Sequence, residues 1–260
     1  MIETKIEIPG IGVEALFFRP DDIADFPGVV FLTDIWGIRP ANIGVAKRLA
    51  ERGFAVLMPN VFHRYSRMTQ DGFEHGNQEE IMKALQTLFA ALTPQNMVDD
   101  GKAYVDFLEG QKGVKKGSAS AGSEAAAYGR AQSNKVGIVG YCFTGQMAVR
   151  TAAALPDKVA AAASFHGGFL VTNAPDSPHK TLGPIKARLY FGHAVEDSTA
   201  TPEQVKTLEA SLRDWHGAFE SEVYEGALHG WTVPGRDVYN EMQAERAFEK
   251  MVQLFEATLE

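Results

Sequence analysis

From residue 28 onward, apolar runs of four to seven residues alternate with longer segments whose apolar positions recur every three or four residues. Val29-Val30-Phe31-Leu32 precedes a stretch near 41–52 in which Ile43, Ala46, Leu49 and Ala50 share one face, and Gly53 follows as a C-terminal cap. Strand 54–58, helices near 78–92 and 95–109, strand 136–140 and helix 143–154 continue the alternation. Strands 159–165, 187–192 and 219–224 and helices 202–215 and 239–258 complete it. This order predicts an α/β fold with a mainly parallel sheet and helices on both faces. A hairpin, Lys5–Ile8 and Val13–Phe18 about Pro9-Gly10-Ile11-Gly12, stands in front of it. Segment 110–134, with glycine, serine, alanine and three lysines, reads as a solvent-exposed connection rather than a domain linker, so residues 1–260 read as one domain.

The 260 residues, 45% of them hydrophobic, supply a full core without disulfides. One cysteine permits no intrachain disulfide and points to a reducing, cytoplasmic setting. Residues Met1 to Ile8 alternate like a strand and lack the basic and apolar regions of a signal peptide. The most apolar region, 148–165, carries Arg150, Asp157 and Lys158, so no membrane span is expected. A net charge of −8 argues against a nucleic-acid partner.

The single cysteine lies in Gly140-Tyr141-Cys142-Phe143-Thr144-Gly145, directly after the apolar run Val136 to Val139. That context resembles a nucleophile elbow, a sharp strand-to-helix turn that exposes the reactive atom beside the next backbone N–H. A free cysteine is more often a small buried hydrophobe, so the residues downstream decide between the two readings. Asp197 and His229 follow Cys142, which is the triad order of the α/β-hydrolases. Asp197 comes after the strand Ala187 to Gly192 and before Thr201-Pro202-Glu203-Gln204, a helix start with Thr201 as N-cap. His229 lies in a loop, Glu225 to Gly230, after the strand ending at Tyr224. Both are expected beyond the carboxyl ends of strands, where open α/β sheets bind ligands. Glu196 is the alternative acid; its spacing to Pro202 is less suitable. His166 is the alternative base, but it precedes the acid and reads as a loop or wall residue.

Four segments carry a resemblance to the dienelactone hydrolase family over essentially the whole chain: Thr33 to Gly37, Gly140 to Gly145, Gly192 to Asp197 and Leu228 to Trp231. The resemblance implies a single α/β-hydrolase domain and the roles of nucleophile, acid and base for Cys142, Asp197 and His229. It also implies that Asp34 stands where the family has a glutamate touching the resting thiol, although aspartate is common in turns for its own reasons. A charge there would disfavour the thiolate and protect it from oxidation. The chain departs from the family at Thr144, where glycine is usual. Either the elbow adjusts or the hydroxyl faces the pocket. The family's substrate-binding arginines have no clear equivalent; Arg64, Arg67, Arg236 and Lys83 are candidates by neighbourhood.

The chemistry expected is hydrolysis of a small-molecule ester or lactone through an acyl-cysteine, with His229 as base and Asp197 orienting it. Oxyanion donors are assigned to the backbone N–H groups of Phe143 and Ile35. Trp36 and Trp231 read equally as pocket walls or as packing. No cofactor is required, and the histidine spacing suggests no metal. A thioesterase or acyltransferase is the second enzymatic reading, and a binding protein on the same fold the non-enzymatic one. A monomer or a small homo-oligomer is compatible with the sequence.

Overall fold

The computed structural model describes residues 1–65, 78–115 and 135–259. Arg67 and most of the connection 110–134 therefore lie outside the described residues. Among the described residues eight strands form one sheet in the order β1-β2-β4-β3-β5-β6-β7-β8. The antiparallel hairpin of β1 (Ile2–Ile8) and β2 (Val13–Arg19) adds to β4 (Ala55–Pro59). From there β3 (Gly28–Leu32), β5 (Val136–Tyr141), β6 (Val159–Phe165), β7 (Arg188–Glu196) and β8 (Phe219–Leu228) run parallel.

Period-two alternation sends each central strand to two cores. Val30, Leu32, Ile138, Leu189 and Phe191 pack with α2 (Gln78–Ala91), α3 (Pro94–Glu109), α4 (Gly145–Ala154) and α5 (Pro202–Trp215). Val29, Phe31, Val139 and Tyr190 pack with α1 (Pro40–Glu51) and α6 (Glu241–Glu256). Every residue of β3, β4 and β5 is buried, as strands covered on both faces require. The mainly parallel sheet with helices on both faces is thus present.

The predicted helix 202–215 coincides with α5. Its start is the expected capping box: Thr201 Oγ1 accepts from the Gln204 amide at 3.4 Å, and Gln204 Oε1 accepts from the Thr201 amide at 2.9 Å. Gly53 ends α1 at φ 93, a conformation that favours glycine. At the site end of the sheet, β7 and β8 both run four residues past their predicted ends. β7 continues to Glu196, and β8 continues through Gly226 (φ 68) to Leu228, so 225–228 is bulged strand rather than loop. No described helix is long and apolar enough to cross a membrane.

Candidate active site

The strand order reverses between β3 and β5, and the carboxyl ends of these strands open onto the crevice where α/β sheets bind ligands. Cys142 begins the turn leaving β5. Its φ is 57, in the left-handed region that a β-carbon disfavours, and a 3-10 turn, Cys142–Thr144, carries the chain into α4. The first turn of the predicted helix 143–154 is therefore tighter than α. Close packing holds this turn. A methyl group on Gly140 would overlap the Thr144 carbonyl, and one on Gly145 would overlap Ser164 Oγ. Thr144 is buried, and its hydroxyl does not face a pocket. It donates towards the carbonyls of Tyr141 (2.9 Å) and Leu32 (3.2 Å) and accepts from the Tyr141 amide at 3.0 Å. The side chain that departs from the family pattern thus ties the elbow to β3.

Asp197 and His229 owe their meeting to strand register. Glu196 pairs with Leu228 across β7 and β8, so Asp197 and His229 directly follow the ends of adjacent parallel strands. His229 Nδ1 lies 2.5 Å from Asp197 Oδ2, and its Nε2 lies 3.1 Å from Cys142 Sγ. Asp197 Oδ1 accepts from the amide and the hydroxyl of Thr199, each at 2.7 Å, which fixes the carboxylate plane. Burial would raise the Asp197 carboxyl, but the hydrogen bonds and charge of His229 and the Thr199 bonds outweigh it and hold the carboxyl low. Burial likewise opposes the His229 cation. Its bonds to Asp197 and Cys142 and their charges prevail, raising its pKa to about 10. Glu196 is exposed, whereas Asp197 is buried.

His166 is buried, with φ 40, and its Nε2 is 2.8 Å from Thr232 Oγ1. Its ring stands edge-to-face with His229 and with Trp231, at 5.1 Å from each. Desolvation, with the His229 charge, keeps this imidazole neutral by lowering its pKa well below the ordinary value. It is a buried wall behind the base.

Asp34 does not stand free to face the thiol. Its Oδ2 accepts from Arg39 at 2.5 Å, and its Oδ1 accepts from the Trp36 amide (3.2 Å) and Asn42 Nδ2 (3.4 Å). Burial pushes the carboxyl up against the opposing pull of Arg39. The group braces the loop after β3. Trp231 is wholly buried and stacks on Tyr224 at 4.9 Å, so it is packing rather than pocket wall. Trp36 is half-buried and carries the Arg236 guanidinium 4.7 Å over its ring. Arg64 pairs through both terminal nitrogens with buried Asp100, whereas Lys83 lies exposed on α2. The ring of Phe143 is buried against Phe89, 4.3 Å between centroids, and Ile35 is half-buried against the same core.

Sequence reasoning missed Thr199, Thr232 and Phe169. The first was findable, since Asp-x-Thr favours an aspartate that accepts bonds from two residues on. The other two depend on contacts across the fold. Among the described residues no cluster of three or more histidine, cysteine or acidic side chains could hold a metal ion.

Cys142 in a tight turn at the switch point, with Asp197 and His229 just past the ends of β7 and β8, is an arrangement that α/β-hydrolases share. The dienelactone hydrolase family model matches residues 13–259, and the chain belongs to that family of hydrolases. The carboxymethylenebutenolidase of Rhodococcus opacus is 26% identical over 256 residues, covering 96% of this chain and 89% of that one. A solved chain from Klebsiella pneumoniae superposes with a TM-score of 0.79 at 21% identity, covering 98% of both chains. A dienelactone hydrolase-like promiscuous phosphotriesterase from metagenomic libraries has a TM-score of 0.75 at 19% identity and covers 100% of this chain and 98% of its own. At these identities the structural matches speak for the fold.

Proposed function

We propose that the protein hydrolyses carboxylic esters or lactones through an acyl-enzyme on Cys142, with His229 and Asp197 completing the triad. The observation that carries this reading is the continuous line from Asp197 Oδ2 through His229 to Cys142 Sγ, at 2.5 Å and 3.1 Å. Family membership and the Rhodococcus opacus carboxymethylenebutenolidase support the reaction class.

With its pKa near 10, His229 holds the proton taken from the thiol. The thiolate adds to the substrate carbonyl carbon, and the C=O π pair moves onto oxygen. The Phe143 and Ile35 amides are the assigned donors to that oxygen; losing one such donor costs ~10²–10³ in rate. On collapse the C–O bond to the alcohol breaks, and the departing oxygen takes the proton from His229. Acylation consumes the sulfur's charge and with it part of what raises His229. The imidazole, now neutral, removes a proton from water, and the resulting hydroxide adds to the thioester. The C–S bond breaks, the acid leaves, and thiolate and imidazolium are restored. Each step uses side chains and main-chain amides of this chain, in a setting expected to be cytoplasmic.

The test is a panel of small esters and lactones against wild type and Cys142→Ala, with one equivalent of a thiol-alkylating reagent in parallel. Alkylation should modify Cys142 and abolish turnover, and Cys142→Ala should be inactive on every substrate. Full activity in either protein would remove the nucleophile.

A further inference from the structure

Beside the nucleophile three phenylalanines from separate parts of the chain meet. Phe89 of α2 lies 4.3 Å from Phe143, and Phe169, in the loop leaving β6, stands edge-on to both at 6.1 Å and 5.9 Å. Phe143 is buried and Phe89 half-buried, whereas Phe169 is 39% exposed. Phe169 also has φ 59, an unfavourable backbone for a bulky side chain. Such strain persists where the surroundings enforce it, and it clusters at ligand clamps. Here the enforcement is visible: the Gly168 amide donates to the Cys142 carbonyl and the Phe169 amide to the Thr199 carbonyl, each at 3.1 Å. The loop is thereby pinned between the nucleophile and the residue that holds the triad acid. An exposed aromatic ring kept on a strained backbone, one residue from the main-chain bond to Cys142, is poorly explained by packing alone.

We infer that Phe169, backed by Phe89 and Phe143, forms an apolar subsite that selects substrates with an uncharged, hydrophobic acyl group. This rests on the proposed cysteine hydrolase. The leaving oxygen must reach His229 for its proton, so the leaving group lies on the side of that loop. The acyl substituent stays on Sγ, next to the rings anchored at Cys142 and Phe143. Arg64, a candidate for holding a substrate carboxylate, is already committed to Asp100. The occupant that suits three aromatic rings is a medium-length alkyl or aryl acyl chain, and the rings offer an acidic chain no partner for its charge.

The experiment measures kcat/KM on p-nitrophenyl acetate, butyrate and hexanoate and on p-nitrophenyl hydrogen succinate. A second series holds the acyl group as acetate and lengthens the alcohol. Wild type should gain about two- to four-fold per acyl methylene, as apolar burial predicts, and should disfavour the succinate. Phe169→Ala should flatten the acyl series while leaving acetate within about three-fold of wild type, and Phe169→Leu should keep most of the slope. An unchanged slope in Phe169→Ala, an equal loss on acetate and hexanoate, or a slope confined to the alcohol series would overturn the inference. Should Phe169→Ala fail to fold, Phe169→Leu and Phe89→Leu carry the same comparison. Cys142 alkylation by N-benzylmaleimide against N-ethylmaleimide reads the subsite without turnover, and wild type should prefer the benzyl reagent. A flat series with an inactive Cys142→Ala removes the subsite alone. Turnover that survives Cys142→Ala removes the hydrolase reading, whatever the reagent preference.

Discussion

With a pKa near 10, His229 is an imidazolium at neutral pH, and its partners on either side are what keep it so. The resulting contribution to stability has a definite sign. A histidine raised above its unfolded value stabilises the fold fully below about 6.5, and loses that contribution as pH rises through about 10. Asp197, held low, contributes above about 3.9 and loses its share as pH falls through its folded value. The difference in thermal midpoint between wild type and His229→Gln should therefore shrink between pH 6 and pH 10.5. A pH-independent difference would contradict this assignment. Function separates the two neighbouring histidines. His229→Ala should abolish turnover, whereas His166→Ala should leave substantial activity, because His166 is neutral, buried and bonded to Thr232 rather than to the acid. Equal losses in two folded variants would count against this choice of base.

The elbow and the β7–β8 pair position these groups. At the elbow, space is the limiting quantity. A β-carbon at Gly140 meets main chain rather than a yielding side chain. Gly140→Ala should lower the thermal midpoint and, in the folded fraction, displace Cys142 from His229, lowering kcat by at least ~10²-fold. Wild-type activity in that variant would show that the turn can relax. The elbow and the α5 capping box were legible in the sequence because both are written in consecutive residues. The ends of β7 and β8 were not. Gly226 reads as a loop residue, and only its partner strand shows that the chain bulges and carries on to Leu228. The bracing of Asp34 was hidden for a related reason. Its partners Arg39 and Asn42 lie five and eight residues away, brought back by the turn into α1.

Across the whole molecule, two cores of unlike composition clasp the sheet. Their separation follows from side-chain alternation, which is why the fold class could be read from apolar runs alone. What such runs conceal is where a glycine makes room. At Gly137 an added methyl would lie 2.6 Å from a ring carbon of Phe255, so α6 docks on β5 through that absence. Gly137→Ala should destabilise by ~1–3 kcal/mol, read as a shift of the denaturant midpoint, with kcat unchanged in the folded fraction. An unshifted midpoint would mean that the helix re-seats freely. The pairing of Glu196 with Leu228 has a wider consequence. Neighbouring strands keep a fixed spacing of about 4.8 Å, so the sheet itself is the gauge that sets acid against base. The loop bearing Phe169 belongs to neither strand of that pair. On the proposed function, substrate preference and proton transfer are separable inheritances, and new preferences can be written into the one while the other is passed on unaltered.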